Sequence, residues 1–290
     1  RKAYEIAKAS CMAAESFNGK DFNGLRPRNK NYTEEGFIEG RLSDTLEFLL
    51  ADFVMSRFAE AVGDKDASDY FKSRCGRYAE NYNEHTGFMG ARDEKGAFLP
   101  VRDEYDTCGC VESNVFQQSW FVPYDINGLS ELFGRERMIQ LLERLFDKAD
   151  LTALWNDNYN HSNEPCHNLT HYFNELGIPK RTQYWTRRVQ KEAYRLGAFG
   201  FCGNEDVGQL SAWYVLSSLG LAQVCIGKPI FSVNTPLFKT AEIKLDRRYH
   251  KCGNSEYFKI ICDNDPLEFP YIKELYLNGE KLDMLHITYD

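Results

Sequence analysis

The chain has 290 residues and a net charge of −8, from 35 basic and 43 acidic side chains. Its hydrophobic fraction of 43%, with only 9 prolines and 21 glycines, excludes a disordered or collagen-like chain. The acidic balance and the lack of an extended Lys/Arg cluster argue against a nucleic-acid partner or an anionic membrane surface. The longest apolar stretch, residues 213–226, is interrupted by polar residues and is shorter than the roughly 18 residues of a bilayer span. We therefore predict a folded protein without a membrane span.

The first residues, Arg1-Lys2-Ala3-Tyr4, resemble the middle of an amphipathic helix and lack the apolar core of a signal peptide. We therefore expect that part of the protein precedes this chain. The 9 cysteines are odd in number and lack the paired spacing of a zinc finger, which favours reduced thiols over a disulfide framework. Reduced thiols favour a cytoplasmic location, whereas the oligomeric state stays open.

Helical periodicity is clearest over residues 44–61, where apolar residues recur at helical spacing. Asp44 with Glu47 predicts a capping box at the start of this helix, and Gly63 predicts its end. The helix predicted at Val207–Leu219 is apolar nearly all round, which indicates a buried helix. Further helices are predicted at Asp69–Asn83, Arg135–Phe146, His167–Leu176 and Arg181–Leu196.

After Gly227 the pattern changes to short alternating or β-branched runs, which are typical of strands. Asn278-Gly279 strongly predicts a two-residue hairpin turn. The predicted strands are Ala241–Leu245, Tyr257–Cys262 and Glu274–Leu277. We therefore predict a mainly α fold, in which residues 1–226 form a helical barrel with the catalytic portion and residues 227–290 form a small antiparallel β region packed on it. Functional residues concentrate in the loops of such a barrel.

Three loop segments combine carboxylates, amides, histidines and aromatic residues outside the helical periodicity. Each also has a structural explanation, as a helix cap, a turn into a helix, or core packing. The segments are residues 110–125 with Glu112, Trp120 and Asp125, residues 161–167 with His161, Asn163, Glu164 and His167, and residues 200–209 with Glu205, Asp206 and Gln209.

Taken together, the three segments have the composition of a sugar site. Amides and carboxylates match sugar hydroxyls, aromatic faces cover the apolar face of the ring, and two carboxyl groups supply an acid and a base. The sequence lacks a Gly-rich phosphate loop and the HExxH and paired CxxC patterns, which argues against a nucleotide or zinc site. A cluster of oxygen ligands also suits a hard cation such as Ca²⁺.

Residues 203–215, Gly-Asn-Glu-Asp-Val-Gly-Gln-Leu-Ser-Ala-Trp-Tyr-Val, resemble the signature of the glycoside hydrolase family 92 exo-α-mannosidases. Residues 162–167, Ser-Asn-Glu-Pro-Cys-His, are similar to that family's Gly-Asn-Glu-Pro-Ser-His loop, and residues 112–125 to its Glu-Gly-Asn…Trp-Phe-Val-Pro-His-Asp segment. The three segments occur in the same order as in the family, and weaker similarities extend over almost the whole chain. The resemblance implies a calcium-dependent, inverting enzyme with an (α/α)₆ toroid-type barrel. Family members are longer, so we expect a C-terminal fragment whose barrel is incomplete at its N-terminal end.

By position, the resemblance implies that Glu112 is the general acid and Asp206 the general base, with Glu205 as its adjacent partner. The loop with Asn163 and Glu164 would line the calcium site. An inverting acid and base are expected about 6.5–9.5 Å apart, which leaves room for a water molecule. The expected substrate is terminal α-linked mannose of an oligosaccharide or N-glycan. Further candidates for substrate contacts are Gln209, Trp120, Asp125, His161 and Arg92.

Three positions depart from the family pattern. Ser113 and Ser162 stand where the family has glycines, which would narrow a loop that approaches the substrate. Asp150-Leu151-Thr152 stands where members that cleave α-1,2 links carry a His-Glu pair, so the linkage stays open. One alternative is a catalytically inactive carbohydrate-binding scaffold derived from the same family. Another is a helical-toroid enzyme that acts on a different polyol or on an isoprenoid.

Overall fold

The structure, a computed structural model, describes residues 1–12, 16–17, 20–21, 29–249 and 255–289. These residues form helices and small antiparallel sheets, as predicted, and divide into two compact units, residues 1–138 and 139–290. Within the described ranges, no helix is long and apolar enough to cross a membrane. No disulfide links the cysteines of these ranges, and Cys252 lies outside them. The boundary expected near residue 226, between helices and strands, stays a prediction.

The first unit is mainly helical. Its described elements are α1 (Lys2–Cys11), β1 (Ser16–Phe17), β2 (Lys20–Asp21), α2 (Asn29–Glu35), α3 (Leu42–Val62), α4 (Lys65–Cys75), a 3₁₀ segment (Gly76–Asn81), β3 (Tyr82–Asn83), β4 (Phe88–Met89), α5 (Val115–Gln118), α6 (Ile126–Phe133) and the start of α7 (Arg135–Asp147). Helices α1, α3 and α4 pack on one another through buried side chains, namely Tyr4, Cys11, Met55, Ala59, Ala67 and Phe71.

The helix predicted over residues 44–61 is confirmed, but its start differs. Helix α3 begins at Leu42, and Arg41 at its N-cap position makes no side-chain capping bond. Asp44 therefore lies within the first turn, where it pairs with Arg41, and the predicted capping box is wrong. The end is as predicted, because Gly63 has a φ of 83°, a left-handed conformation that glycine adopts without strain.

Three short helices of the first unit, α2, α5 and α6, were not predicted, because 7, 4 and 8 residues are too few to show a helical repeat. Helix α5 begins with a capping box, in which the Gln117 amide donates to the Asn114 side chain at 2.9 Å and the Asn114 amide donates to the Gln117 side chain at 3.2 Å. Helix α6 is capped by Asp125, whose carboxylate accepts from the Gly128 amide at 3.0 Å and from the Tyr78 hydroxyl at 2.7 Å.

The second unit combines the end of α7 with three further helices and most of the strands. Its other elements are a 3₁₀ segment (Glu164–His171), α8 (Tyr172–Glu175), α9 (Pro179–Glu192), α10 (Gln209–Ser218), β5 (Leu221–Ala222), β6 (Ile230–Val233), β7 (Thr240–Lys244), β8 (Tyr257–Ile261), β9 (Leu275–Leu277), β10 (Glu280–Leu282) and β11 (His286–Thr288). All pairs are antiparallel: β6 lies between β5 and β11, β7 pairs with β8, and β9 pairs with β10.

Three predictions for the second unit have different outcomes. The turn between β9 and β10 is confirmed, because Asn278 and Gly279 have φ values of 53° and 87°, as a type I′ turn requires. The helix predicted at 167–176 is instead the 3₁₀ segment followed by the short α8. The predicted burial of α10 on all sides is wrong, since Trp213 is 7% exposed but Val215 is 56% exposed.

Buried polar contacts connect this 3₁₀ segment and α8 to strand β6. The Ser232 hydroxyl lies 3.0 Å from Nδ1 of His171 and accepts from the Asn174 amide group at 2.7 Å. Asn174 also donates to the Val233 carbonyl at 3.0 Å. These bonds hold the short sheet against the segment that carries the second predicted site loop.

A buried ion pair joins α3 to α4 in the first unit. The guanidinium of Arg74 lies 2.9 Å from the carboxylate of Asp52, and the Asp52 side chain is 0% exposed. The Tyr32 hydroxyl donates to the same carboxylate at 2.7 Å, and Arg74 donates to the Cys11 carbonyl at 3.0 Å. Because both charges are removed from water, loss of one partner leaves the other buried without compensation.

We expect Asp52→Asn to lower the free energy of unfolding by about 3 kcal/mol or more, because Arg74 then keeps a buried charge without its counter-ion. Urea-induced unfolding measures the change. The control is Asp44→Asn, which breaks the solvent-exposed pair with Arg41 and should cost about 1 kcal/mol or less. Equal losses in the two variants would contradict the argument from burial.

Candidate functional site

The predicted general acid, Glu112, lies in the first unit on the loop between β4 and α5. Its side chain is exposed, and its φ of 50° falls in the left-handed region that few non-glycine residues adopt. Such a conformation costs roughly 1–3 kcal/mol and persists only where the surrounding structure holds it.

Buried hydrogen bonds on both sides of Glu112 hold this loop against α3. The Val111 amide donates to the Ser43 hydroxyl at 2.9 Å, and the Ser43 hydroxyl donates to the side-chain oxygen of Gln118 at 2.8 Å. The Ser113 hydroxyl donates to the same oxygen at 2.9 Å. Ser113, one of the two serines at family glycine positions, is 4% exposed, so its hydroxyl supports the loop from inside the protein.

Three of the predicted sugar contacts make structural contacts in the first unit, and their contact with sugar stays a prediction. Trp120 is 0% exposed and packs against two phenylalanine rings, as a core residue does. Asp125 caps α6 and accepts from a tyrosine hydroxyl. Arg92 donates to a backbone carbonyl, and its guanidinium lies 4.6 Å from the centroid of the Phe98 ring.

The second and third predicted site loops meet within the second unit. A Cβ at Gly203 would lie 2.3 Å from the Cβ of Ser162, so only glycine allows this approach. The Ser162 hydroxyl donates to Asn160 Oδ1 at 2.8 Å. Burial lowers the pKa of His167 to about 4. A backbone hydrogen bond and the negative charge of Asp206 both act to raise this pKa, so His167 and Asp206 are close enough to interact electrostatically.

The predicted general base, Asp206, lies on an exposed turn directly before α10. The φ values are 46° at Asp206, 59° at Val207 and 93° at Gly208, so three consecutive residues are left-handed. The β-branched Val207 is an outlier in this region, and its side chain is fully exposed, so burial does not offset the strain. Of the four non-glycine residues with positive φ in the described ranges, two are therefore the predicted acid and base.

Glu205 supports the start of α10. Its Oε1 accepts from the Ser211 amide at 3.1 Å, and its backbone carbonyl accepts from the Gln209 amide at 3.0 Å. A negative charge is favourable at this end of a helix. The other carboxylate oxygen, Oε2, is buried and has no hydrogen-bond partner among the described residues. The role of Glu205 as partner of the base stays a prediction. The contact of the exposed Gln209 with sugar also stays a prediction.

His161, a predicted sugar contact, is 1% exposed, and its contact with sugar stays a prediction. Its Nδ1 lies 2.8 Å from the Tyr159 hydroxyl, and its Nε2 lies 2.7 Å from the Tyr194 hydroxyl. Tyr194 in turn donates to the backbone carbonyl of Leu210 at 2.9 Å. We call this chain of hydrogen bonds, from Tyr159 through His161 and Tyr194 to Leu210, the His161 relay.

The predicted metal ligands Asn163 and Glu164 lie where the second 3₁₀ segment begins; Asn163 is buried and Glu164 half-buried. Among the described residues, no three His, Cys, Asp or Glu side chains cluster closely enough to hold a metal ion. Ca²⁺ also accepts amide, carbonyl, water and hydroxyl oxygens, and usually takes six to eight ligands. The amide and carboxylate oxygens of these two residues fit such a site, provided that oxygens of other kinds complete it.

Tyr159, Tyr194 and Trp213 belong to this region although none of them was predicted as a site residue. The indole of Trp213 donates to the His167 carbonyl at 3.1 Å, and its ring centroid lies 4.5 Å from that of His161. Alternation along an extended chain places residues 159 and 161 on one side, which is the one signal that links Tyr159 to His161. The other two rings look like ordinary core residues in the sequence.

The buried histidines of the second unit predict sensitivity to acid. Burial lowers the pKa of His167 to about 4 and that of His171 to about 3, and it lowers the pKa of His161 well below its usual value. Below pH 6.5 the unfolded chain therefore binds protons that the folded chain does not, so stability is full above that pH and falls as the pH falls. Each histidine contributes up to about 1.4 kcal/mol per pH unit.

Unfolding by urea at pH 7.5, 6.0 and 5.0 tests this expectation. The free energy of unfolding should fall steadily over this series. His171→Gln should make the fall shallower, whereas a glutamine in place of the exposed His85 should leave it unchanged. Equal stability of the unmodified protein at pH 7.5 and pH 5.0 would contradict the prediction.

Comparison with known proteins identifies the family. The profile of the glycosyl hydrolase family 92 catalytic domain matches residues 1–290. A family 92 inverting mannosidase from Bacteroides thetaiotaomicron has a TM-score of 0.85 and 29% identity, covering 99% of this chain and 41% of that chain. A family 92 α-mannosidase from the same organism, in complex with mannoimidazole, has a TM-score of 0.83 and 24% identity, covering 99% of this chain and 41% of that chain.

A fungal relative, an uncharacterized secreted glycosidase of Arthroderma benhamiae, is 22% identical over 287 residues, which are 90% of this chain and 35% of the relative. The chain thus spans well under half the length of the proteins that it matches. The family profile, by contrast, covers every residue of the chain. The chain therefore belongs to glycosyl hydrolase family 92.

Proposed function

We propose that the protein carrying this chain is a calcium-assisted, inverting exo-α-mannosidase that releases terminal mannose from mannosides or N-glycans. The observation that supports this most directly is the backbone at Glu112 and Asp206, both exposed and both left-handed. Strained non-glycine residues of this kind cluster at active sites. The mannosidases among the similar structures support mannose as the sugar. The family resemblance implies an (α/α)₆ barrel for the helical portion.

In the proposed reaction, Glu112 is protonated and donates its proton to the glycosidic oxygen as the bond to the anomeric carbon breaks. Asp206 is ionised and accepts a proton from a water molecule, whose oxygen attacks the anomeric carbon from the opposite face. The products are β-mannose and the shortened glycan with a free hydroxyl. Glu205 lies next to Asp206 in the chain and is the proposed partner of the base.

The donor types of Asn163 and Glu164 suit Ca²⁺, and we assign these two residues to the proposed calcium site. When bound, calcium supplies a positive charge that holds vicinal sugar hydroxyls and favours distortion of the ring. The exposed amide of Gln209 is the proposed direct contact with sugar hydroxyls from the first turn of α10. In the part of the chain that the structure describes, no observation favours the inactive carbohydrate-binding alternative.

The decisive experiment measures mannose release by the natural protein that carries this chain. The substrates are α-1,2, α-1,3, α-1,4, α-1,6 and phosphate-linked mannosides, each with calcium and with EDTA. We expect release of β-mannose from at least one substrate, loss of at least about 100-fold of the rate in EDTA, and recovery when calcium is restored. Folded protein that cleaves none of these substrates in calcium would refute the proposal.

Two substitutions test the separate roles of the carboxylates. Glu112→Gln should reduce turnover of alkyl mannosides by about 100-fold or more, but turnover of aryl mannosides with good leaving groups much less, because only poor leaving groups need a proton. Asp206→Asn should reduce both equally and leave the Kd for mannose within about tenfold. If Glu112→Gln slows both substrate types equally, it is not the acid; if Asp206→Asn abolishes binding, Asp206 is a ligand and not the base.

A further inference from the structure

The turn that carries Asp206 lacks intrinsic stability. Three consecutive left-handed residues, 206–208, precede α10, and the middle one is a fully exposed valine. Backbone hydrogen bonds connect the turn to α10, where the Gln209 amide reaches the Glu205 and Asp206 carbonyls at 3.0 and 3.3 Å and the Ala212 amide reaches the Gly208 carbonyl at 2.9 Å. Strained turns persist only where surrounding contacts determine them, so the chain must supply a further restraint.

The His161 relay provides a restraint at this place. Its last hydrogen bond, from the Tyr194 hydroxyl to the Leu210 carbonyl, reaches the first turn of α10. Its first members lie on the loop that leads to Asn163 and Glu164. Through Tyr194, at the end of α9, the relay therefore connects the loop of the proposed calcium ligands to the helix that follows the proposed base.

The direction of each hydrogen bond in the relay follows from proton counting. Tyr194 has one hydroxyl hydrogen and donates it to Leu210, so the 2.7 Å contact with His161 requires a hydrogen on Nε2. Nδ1 then carries the lone pair and accepts from the Tyr159 hydroxyl at 2.8 Å. This pattern of hydrogen bonds corresponds to one tautomer of a neutral ring, with its hydrogen on Nε2.

A second contact acts in parallel. The Trp213 indole, one turn further along α10, donates to the His167 carbonyl, and the Trp213 ring packs on those of His161 and Tyr194. The site loops also touch directly at Ser162 and Gly203. The relay thus lies in a rigid aromatic environment, which makes it suited to fix a position and not merely to fill space.

We propose that the His161 relay is a positioning device that holds the strained Asp206 turn in its reactive conformation, with Tyr194 as its decisive member. The catalytic consequence rests on the proposed function of Asp206, whereas the restraint on the turn does not. None of the relay residues needs to touch the substrate, since each acts through the backbone of α10.

The test compares Tyr194→Phe with Tyr184→Phe in the natural protein that carries this chain. Each variant loses one hydroxyl; Tyr184 lies on α9 and is 41% exposed, so it is a matched control. Hydrogen–deuterium exchange reports on the amides of residues 209–212, and the amides of residues 140–146 in α7 serve as an internal reference. We expect at least tenfold faster exchange at 209–212 in Tyr194→Phe, with the reference and the control variant unchanged.

A second variant tests the proposal independently, in case Tyr194→Phe does not fold. Tyr159→Phe removes the donor to His161 but leaves the bond between Tyr194 and Leu210, so exchange at 209–212 should rise about threefold, less than in Tyr194→Phe. Unchanged exchange in both variants would overturn the proposal. An equal rise at the reference amides would overturn it too, because Tyr194 would then stabilise the whole unit and not the turn.

Kinetics distinguish positioning of the base from a general structural role, because only positioning lowers kcat without a change in KM. Tyr194→Phe should lower kcat for a mannoside by 10- to 100-fold with KM within about threefold, because a displaced base affects the transition state more than substrate binding. A loss confined to KM would overturn the positioning role. If the unmodified protein cleaves no mannoside, the proposed function fails, and the exchange comparison alone still decides whether the relay holds the turn.

Discussion

The left-handed backbone over Asp206, Val207 and Gly208 is the constraint on which the candidate site of the second unit depends. Glycine alone adopts this conformation without strain, so two of the three residues need external support. Contacts with the start of α10 provide part of this support. Glu205 binds amides of α10 from the chain segment before it, and Tyr194 binds a carbonyl of the same helix from α9. A turn restrained on one side and open on the other can present a carboxylate to solvent in a fixed orientation.

In the first unit, different residues support a left-handed backbone conformation, at Glu112. Glu112 is also exposed and left-handed, and its loop is held from below by Ser43, Ser113 and Gln118. In both units uncharged groups contribute to this support, namely hydroxyls and an amide at Glu112, and tyrosine hydroxyls with the His161 ring at Asp206. In the second unit the Glu205 carboxylate adds a charged contact, to the Ser211 amide.

The sequence predicted the longer elements well, because periodicity needs only local information. The helix over 44–61, strands β7, β8 and β9, and the Asn278-Gly279 turn all match within a few residues. It also predicted that the second and third site loops carry related chemistry, and these loops do meet. The short capped helices α5 and α6 were missed, because a helix of one or two turns shows no repeat.

The roles of individual side chains were less predictable, for a physical reason. Trp120, Asp125, Arg92 and His161 have the residue types of a sugar site, but their environment is set by residues far away in the chain. The bond between Ser43 and Gln118 spans 75 positions, and that between Tyr78 and Asp125 spans 47. Composition reveals which residues gather in a loop, whereas burial depends on contacts at these separations. Residue type alone therefore does not distinguish the supports of a site from its ligands.

His161 shows why a support of this kind needs a particular residue. The position requires an acceptor facing Tyr159, a donor facing Tyr194 and an apolar face against Trp213. A neutral imidazole meets all three requirements with one rigid ring, because its two nitrogens have opposite roles in a fixed tautomer. An asparagine also accepts and donates, but both groups branch from one carbon and it offers no aromatic face. The ring that the sequence predicts as a sugar contact thus also satisfies specific hydrogen bonds inside the protein.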